Sequence, residues 1–307
     1  MSGEAASSWR HWLEYWAYRA TRAKWSVLPE RSALYLGGLL GRFAGSVLRI
    51  RRREVDRHLS LAFPEQSVAW RRSVARRSYH HLGREAALFF RMGGWSREEV
   101  LERVSFAGFE EVRACAEQET GVVLLTGHLG NWEMAGAGIA AMGFELDVVG
   151  KGMANRRFER DLIAMRERLG MRVISFDDAP TGVLRALGRG RVVALLGDQN
   201  AHRHGIFLPF FGRPAATARG PALFAVRTGA PVFVGFNVRA PGEVHHYVLE
   251  AERLDYEVTD DLDRDVQSLM LAYNRRLEEA IRQAPEQYFW QHRRWKTRPP
   301  EEQAPLR

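Results

Sequence analysis

A short buried strand that runs into a glycine- and histidine-containing turn and then a helix constrains this chain more than any other feature. Residues 121–125 are apolar, and a helical pattern starts at Asn131, a residue type that caps helices well. His128 lies in the turn between them, and Glu133 follows in the first turn of the helix. Ligands of open α/β sheets bind at the carboxyl ends of strands. We therefore expect a site around His128.

The residue types at this turn suit proton transfer. A carboxylate within reach of a histidine can hold its tautomer and stabilise the imidazolium that forms when it takes a proton. No serine or cysteine stands beside His128 to act as a nucleophile, so the pattern favours a histidine that activates a hydroxyl of the substrate. The alternative is structural: His128 caps a strand, and Glu133 complements the helix dipole.

Further apolar strands alternate with helical stretches along the chain. The predicted strands are residues 146–149, 172–176, 191–196, 232–238 and 247–251. Helices are predicted at residues 109–116 and 262–283. Alternation of this kind predicts an α/β fold with a mainly parallel central sheet flanked by helices. With 307 residues, of which 46% are hydrophobic, the chain can form one compact domain over residues 61–307, preceded by a helical segment at residues 1–60.

Positive charge is concentrated near the N-terminus. Residues 1–100 hold 18 Arg and Lys against 9 Asp and Glu, a balance of +9 in a chain whose net charge is +8. Such a bias indicates an anionic partner. The basic residues are interleaved with tryptophan and tyrosine between residues 9 and 25, a pattern typical of a helix lying on a bilayer rather than of a nucleic-acid-reading motif. The alternative is an aromatic-rich helix that packs on its own domain.

Residues 33–50 form an apolar, glycine-rich segment interrupted by Arg42. Its apolar length falls short of the roughly 20 residues needed to cross the hydrocarbon core. The basic run at residues 49–53 would meet anionic headgroups. We therefore expect a monotopic attachment or a single N-terminal anchor on an anionic membrane surface, without a cleavable signal peptide.

Cysteine and histidine usage gives no sign of a metal or a disulfide. Cys115 is the single cysteine, which excludes an internal disulfide and a cysteine-built zinc site. Histidine pairs occur at residues 80–81, 202 and 204, and 245–246, but none has a third ligand at a familiar spacing. We expect no metal and no cofactor.

Four ordered blocks resemble the lysophospholipid acyltransferase superfamily, and within it the bacterial late (lauroyl and myristoyl) acyltransferases of lipid A biosynthesis. The first is the His-x-x-x-x-Glu pattern from His128 to Glu133, with Gly130, Asn131 and Trp132 inside it. The others are GDQN at residues 197–200 leading into IFLPFFGRPAAT at 206–217, GPA at 220–222 leading into RTGAPV at 227–232, and APEQYFWQHRRWKTRP at 284–299. The resemblance covers nearly the whole chain.

The resemblance implies a membrane-associated O-acyltransferase. A histidine of this superfamily deprotonates an acceptor hydroxyl, which attacks an acyl thioester directly. His128 would be the base and Glu133 its orienting partner. The donor would be acyl-acyl carrier protein, with acyl-coenzyme A as the alternative, and the acceptor a lipid A precursor. The expected location is the cytoplasmic face of the inner membrane.

The same resemblance implies a substrate-binding set. Gly130 would permit close approach of the substrate, and the backbone amides near Asn131 would bind an oxyanion or a phosphate. Lys151 follows the predicted strand at residues 146–149, and Asp198 and Gln199 follow the one at 191–196, so these side chains are expected at the same sheet edge as His128. The complete substrate-binding set is Gly130, Asn131, Trp132, Lys151, Arg166, Asp198 and Gln199.

Several alternatives stay open from the sequence. Arg166 could instead pair with a glutamate of its own helix, and Asp198 could cap a turn. Met134, Phe207, Phe210 and Phe211 could line an acyl groove or belong to the core. The acceptor could be another glycolipid, a phosphatidylinositol mannoside or a lysophospholipid. Alternatives of a different class are a non-catalytic lipid-binding protein and a basic nucleic-acid-binding protein.

Overall fold

The computed structural model describes residues 2–118, 121–243 and 245–299, with side chains from residue 9 onward. Residues 300–307, which we assigned to the catalytic domain, lie outside the described residues. The helices are α1 Ser2–Val27, α2 Glu30–Ser46, α3 Arg52–Ala62, α4 Val68–Met92, α5 Arg97–Leu101, α6 Phe109–Glu117, α7 Trp132–Ala141, α8 Arg156–Arg168, α9 Ala179–Leu187, α10 Gly220–Thr228 and α11 Leu262–Gln283. The strands are β1 Val104–Ala107, β2 Val122–Thr126, β3 Leu146–Gly150, β4 Met171–Ser175, β5 Val192–Leu196, β6 Ile206–Phe210, β7 Arg213–Thr217, β8 Val232–Arg239 and β9 Tyr247–Arg253.

Seven strands form one central sheet in the order β1-β9-β8-β2-β5-β3-β4. All neighbours pair in parallel except β8 and β9. Every residue of β2 is buried, as expected for a central strand of a sheet covered on both faces. Two core clusters lie on opposite faces: β2 contributes Val123 and Leu125 to one, and Val122 and Leu124 to the other. The predicted mainly parallel α/β sheet is confirmed.

The structure also contains elements that the sequence analysis did not predict. Strand β1 at the sheet edge and the antiparallel hairpin of β6 and β7 are both short. The hairpin carries two of the suggested groove residues into the core, since Phe210 and Phe211 are 0% and 7% exposed and pack with Tyr288, Trp290 and Trp295. Met134 is fully buried as well. These three residues belong to the core rather than to an acyl groove.

Helices α2 and α4 pack closely through glycine. A Cβ atom at Gly37 would lie 2.5 Å from the carbonyl oxygen of Gly83, and one at Gly41 would lie 2.0 Å from that of Tyr79. At Gly83 a Cβ would meet the carbonyl oxygen of Gly37 at 2.1 Å. No side chain larger than hydrogen fits between the two backbones at these positions.

The opposite side of α2 and part of α1 expose large apolar side chains. Most of the large exposed hydrophobic residues of the described chain lie between residues 9 and 50: Trp9, Trp12, Leu13, Trp16, Val27, Tyr35, Leu36, Leu40, Phe43, Val47, Leu48 and Ile50. We call this set the N-terminal apolar surface. In the described part of the chain, every helix is too short or too polar to cross a bilayer.

Candidate active site

His128 lies just beyond the carboxyl end of β2, and Asp198 lies just beyond the carboxyl end of β5. The two strands are neighbours, with Thr126 opposite Leu196, so residues two positions further along each strand meet. The Asp198 Oδ1 atom accepts a hydrogen bond from Nδ1 of His128 at 2.7 Å, and its Oδ2 accepts one from the backbone amide of His128 at 3.0 Å. Asp198 is 2% exposed. The carboxylate therefore fixes both the ring and the backbone of the histidine.

The charge state of Asp198 follows from this contact. Burial alone would raise its pKa, but the charge of His128 and the two hydrogen bonds from that residue outweigh burial, so the pKa of Asp198 lies below its usual value. An ionised Asp198 accepts the proton on Nδ1 and leaves Nε2 of a neutral His128 with a free lone pair. This is the tautomer that a general base requires.

Aromatic rings and an amide surround the Nε2 side of the imidazole. The Trp132 ring lies 4.7 Å from the His128 ring, and the Phe289 ring lies 6.1 Å from it, centroid to centroid. The Nε2 atom accepts a hydrogen bond from the side-chain amide of Gln199 at 3.0 Å. Gln199 is exposed, so it occupies the position that an incoming hydroxyl would need.

Glu133 does not contact the imidazole through a hydrogen bond; its carboxylate binds Arg166 of α8 instead. The guanidinium donates from Nε to Oε2 at 3.0 Å and from Nη2 to Oε1 at 2.5 Å, and both side chains are largely buried. Asp198 holds Nδ1 of His128, and both Glu133 oxygens bind Arg166. The orienting role of Glu133 therefore has no direct contact behind it in this structure and stays a prediction. The alternative for Arg166, pairing within its own helix, is replaced by this pair across two helices.

Glu133 and Arg166 form the polar part of a narrow apolar crevice between α7 and the sheet. Its lining is otherwise dominated by small and aliphatic residues, with Trp132 included: Leu124, Thr126, Trp132, Ala135, Gly136, Ile139, Val148, Val149, Met171, Ala194, Leu196, Gly235 and Leu249. Because Trp132 also packs on His128, the crevice adjoins the imidazole. Its free volume in this structure is about 40 Å³, so a longer apolar chain would enter only if α7 and the sheet moved apart.

The turn between His128 and α7 is held rigidly. Gly130 has φ +64°, and a Cβ there would lie 1.9 Å from the carbonyl oxygen of Asn237, so only glycine fits. Asn131 caps α7 as predicted, accepting from the amide of Met134 at 2.8 Å. The amides of Gly130 and Asn131 already donate to the carbonyl oxygens of Gln287 and Asn237. An oxyanion would therefore bind the backbone amides that follow in α7, since the N–H groups in the first turn of a helix have no acceptor within that helix.

A buried polar cluster supports this turn from behind. Glu85 of α4 accepts hydrogen bonds from Asn131 and Tyr247, both at 2.7 Å, and forms an ion pair with Arg239. Burial would raise the pKa of Glu85, but His81 and Arg239 lower it below the usual value. The sequence analysis missed this cluster, because its members come from α4, α7, β8 and β9 and share no local pattern.

Lys151 lies where it was expected, at the carboxyl end of β3, two strands from β2. Its side chain is exposed. Phe289, whose backbone amide donates to the carbonyl oxygen of His128 at 2.9 Å, was not predicted as a site residue, although it lies in the C-terminal block quoted above. Among the residues with described side chains, no cluster of three His, Cys, Asp or Glu is placed to hold a metal ion.

Comparison with known proteins agrees with this geometry. Lipid A biosynthesis lauroyltransferase of Escherichia coli (strain K12) is 28% identical over 296 residues, 94% of this chain and 93% of the relative. The palmitoleoyltransferase of the same strain is 26% identical over 293 residues, 94% and 93% of the two chains. A phosphatidylinositol mannoside acyltransferase of Mycobacterium tuberculosis (strain CDC 1551 / Oshkosh) is 31% identical over 157 residues, 50% of this chain and 49% of the relative. Residues 4–297 match the family of bacterial lipid A biosynthesis acyltransferases, and the chain therefore belongs to that family and is an acyltransferase.

Proposed function

We propose that this protein transfers a fatty acyl group from an acyl thioester to a hydroxyl of a lipid A precursor at a membrane surface. The observation that carries the proposal is the hydrogen bond from Nδ1 of His128 to the buried Asp198, which leaves Nε2 facing the mouth of the sheet. Family membership supports the reaction class, and the names of the relatives supply the acceptor class.

The reaction begins when the acceptor hydroxyl displaces the Gln199 amide from Nε2 of His128. The imidazole takes the hydroxyl proton as the oxygen attacks the thioester carbonyl, and Asp198 stabilises the imidazolium. The tetrahedral intermediate collapses by expelling the thiolate. His128 returns its proton from Nε2 to that sulfur, which completes the proton balance without a covalent enzyme intermediate.

The negative charge that develops on the oxygen of the tetrahedral intermediate requires hydrogen-bond donors nearby. The amides of Trp132 and Glu133 open α7, and the positive end of the helix dipole points toward the site. The guanidinium of Arg166 is neutralised by its ion pair with Glu133, so the amides and the helix dipole supply this stabilisation. Glu133 in this account holds Arg166 at the crevice and does not touch the reacting atoms.

The crevice between α7 and the sheet is the proposed acyl-chain site. Each buried methylene contributes about 0.8 kcal/mol, so the crevice would add to the donor affinity once it widens to admit the chain. We propose acyl carrier protein as the donor partner, because an acidic protein is attracted to a chain with 45 Lys and Arg against 37 Asp and Glu. Acyl-coenzyme A is the alternative donor. No cofactor is required by these steps.

The N-terminal apolar surface would bring the site to the lipid. Trp12, Leu40 and Phe43 are about half exposed, and the basic run at residues 49–53 follows directly. Apolar side chains flanked by arginine suit monotopic attachment to an anionic bilayer. We place the enzyme at the cytoplasmic face of the inner membrane, where an acyl carrier protein would be available.

The mass of the reaction product tests the proposed acceptor and donor. Purified protein in detergent is incubated with acyl-acyl carrier protein of several chain lengths and a tetra-acylated lipid A precursor. The proposal expects a product heavier by one acyl group, with the thiol carrier released in equal amount. A product from other lysolipids but none from the precursor would reject the proposed acceptor.

A second acceptor class is favoured by one observation. The mycobacterial relative named a phosphatidylinositol mannoside acyltransferase is 31% identical over about half of this chain. A phosphatidylinositol mannoside therefore belongs in the same assay, and transfer to it in preference to the lipid A precursor would select this candidate.

A further inference from the structure

A basic pocket lies between α3 and the C-terminal segment, on residues that the proposed reaction does not use. We call it the α3 pocket; it is lined by Glu54, Arg57, Arg293, Trp295, Lys296 and Arg298. Four cationic side chains thus face a single carboxylate. Glu54 lies 3.6 Å from Arg57 and 3.7 Å from Arg293, distances too long for strong hydrogen bonds. The carboxylate therefore keeps Arg57 and Arg293 close without saturating their donors.

Polar atoms of two lining residues, and of the buried His58 behind them, lack hydrogen-bond partners. His58 is 1% exposed and shares its Nδ1 with the carbonyl oxygen of Trp290 at 2.9 Å. Within the described part of the chain, Nε2 of His58, Oε2 of Glu54 and Nε of Arg57 are buried without a hydrogen-bond partner. Buried polar groups are nearly always paired in native proteins. Nε2 of His58 and Oε2 of Glu54 lie 3.6 Å apart, beyond normal hydrogen-bond range. Glu54 and Arg57, which line the pocket, therefore point to a ligand that both donates and accepts hydrogen bonds.

The chemistry of the wall defines that ligand. Burial lowers the pKa of His58, so its Nε2 accepts a hydrogen bond, as does Glu54. Arg57, Arg293 and Lys296 donate. A phosphate next to sugar hydroxyls satisfies both kinds of group, because the phosphate oxygens accept and the hydroxyls donate.

The position of the pocket suits a headgroup. Arg51, which follows the N-terminal apolar surface, donates to the carbonyl oxygen of Gln291 at 3.0 Å. Phe289 donates to the carbonyl oxygen of His128 at 2.9 Å, and Arg293 is four residues further along. By chain reach, the backbones of Arg293 and His128 are within roughly 17 Å of each other. The α3 pocket therefore lies close to the end of the apolar surface and within chain reach of the imidazole.

We propose that the α3 pocket binds a phosphorylated sugar in the headgroup of the lipid acceptor. The inference rests on the proposed function for the identity of the acceptor, but not for the binding chemistry. It assigns Arg57, Arg293 and Lys296 to the phosphate, and Glu54 to a sugar hydroxyl or to the cations that the phosphate engages.

The first test removes charge from the pocket and uses a matched control. Arg293→Gln combined with Lys296→Gln should raise KM for a phosphorylated acceptor about tenfold while kcat stays near the wild-type value. The same acceptor without its phosphates should show no such change. Arg185→Gln combined with Arg189→Gln removes the same charge from exposed positions in and after α9 and should leave KM unchanged. Equal effects of the two double variants, or equal effects on both acceptors, would overturn the proposal.

The second test predicts tighter rather than weaker binding, a result that a folding defect would not produce. Glu54→Gln removes the one negative charge of the pocket lining but keeps an oxygen that can accept from a sugar hydroxyl. It should therefore tighten binding of a water-soluble, deacylated disaccharide phosphate, measured by calorimetric titration. Weaker or unchanged binding contradicts the site. Binding of this probe without acyl transfer to any lipid A precursor would reject the proposed acceptor and keep the pocket.

A third experiment distinguishes the phosphate of the acceptor headgroup from the phosphate of the bilayer. Vesicles of phosphatidylcholine with and without phosphatidylglycerol are sedimented with wild-type protein and with the Arg293→Gln, Lys296→Gln variant. The proposal expects both proteins to bind the anionic vesicles within about twofold of each other, since the N-terminal apolar surface remains intact. Loss of vesicle binding with an unchanged acceptor KM would show that the pocket serves bilayer phosphate and would overturn the assignment to the acceptor.

Discussion

The partner of a histidine decides whether its imidazole can act as a base, and here that partner is Asp198. The carboxylate is buried, ionised and bound to Nδ1 of His128. A second hydrogen bond, to the backbone amide of His128, prevents the carboxylate from rotating away. Glu133 lies nearby but neutralises Arg166. Two acidic residues at one site thus have separate tasks.

Substitution of these two acids should separate the tasks. Asp198→Asn should lower kcat by roughly 10²- to 10⁴-fold, because the amide no longer enforces the tautomer that leaves Nε2 unprotonated. Glu133→Gln should act mainly on donor binding, through the position of Arg166, and should raise KM more than it lowers kcat. Steady-state kinetics on both variants checks this. A larger loss of kcat for Glu133→Gln than for Asp198→Asn would assign the orienting role to Glu133.

Some features of this site could be predicted from the sequence, and others could not. His128, Asn131 as helix cap and the shared sheet edge of Asp198 could be predicted, because each depends on local order along the chain. The pairing of His128 with Asp198 depends on β5 lying beside β2, although β3 and β4 intervene between them in sequence. Strand order is not encoded in any local spacing, so the sequence could pair His128 only with the nearer acid, Glu133, and could place Asp198 no closer than the same sheet edge.

At the scale of elements, the glycines of α2 and α4 set the distance between the N-terminal helices and the rest of the molecule. Gly37 and Gly83 touch backbone to backbone, which brings α4 close enough to α2 to cover its inner face. The other face of α4 carries Glu85, which holds the cap of α7 through Asn131. One helix therefore contacts both α2, which carries part of the N-terminal apolar surface on its other side, and the turn that holds His128.

Gly83→Ala should destabilise the fold by about 1–3 kcal/mol, since a methyl group there would overlap the carbonyl oxygen of Gly37 and force the helices apart. Thermal unfolding followed by circular dichroism gives the measurement. The control is Gly220→Ala, where an added Cβ meets nothing within 4 Å and the change should stay within about 0.5 kcal/mol. Similar melting temperatures for the two variants would show that the glycine contact does not matter.

Glu85→Gln should cost about 3–5 kcal/mol at neutral pH, because it leaves the buried Arg239 without its counter-charge. The pKa of Glu85 is lowered in the folded state. Its stabilisation is therefore present above the unfolded-state pKa, about 4.3, and is lost as the pH falls through the folded value. Denaturant unfolding at several pH values should show the difference from wild type shrinking below about pH 4. A constant difference across pH would contradict an ionised Glu85.

At the scale of the whole molecule, most exposed apolar side chains and the excess positive charge lie near the N-terminus of the chain. The proposed active site lies at the carboxyl ends of β2 and β5. The sequence predicted this segregation, because charge and aromatic content are read directly from composition. It did not predict that α1 and α2 would be held on the domain, α2 by glycine contacts and α1 by packing of Tyr18 on Phe158 and Phe90. Those contacts join residues that are far apart in the sequence, so no local pattern predicts them.

The N-terminal apolar surface can be tested for lipid binding. Leu40→Ser combined with Phe43→Ser should weaken partition into anionic vesicles by at least tenfold, since each exposed apolar side chain contributes about 1.5–3 kcal/mol when buried. Val258→Ser combined with Leu184→Ser removes comparable exposed side chains elsewhere and should have little effect. Vesicle sedimentation distinguishes the pairs. Equal partition of both double variants would place membrane contact on another surface.

The central claim is that the imidazole of His128 removes the proton from the acceptor hydroxyl. Single-turnover acyl transfer, with enzyme in excess over a labelled acyl thioester, isolates that step from donor binding and product release. His128→Gln should bind the donor as wild type does and transfer it at least 100-fold more slowly, consistent with loss of general-base catalysis. Transfer by His128→Gln within about threefold of the wild-type rate would contradict the account, because catalysis of that strength would require a different base.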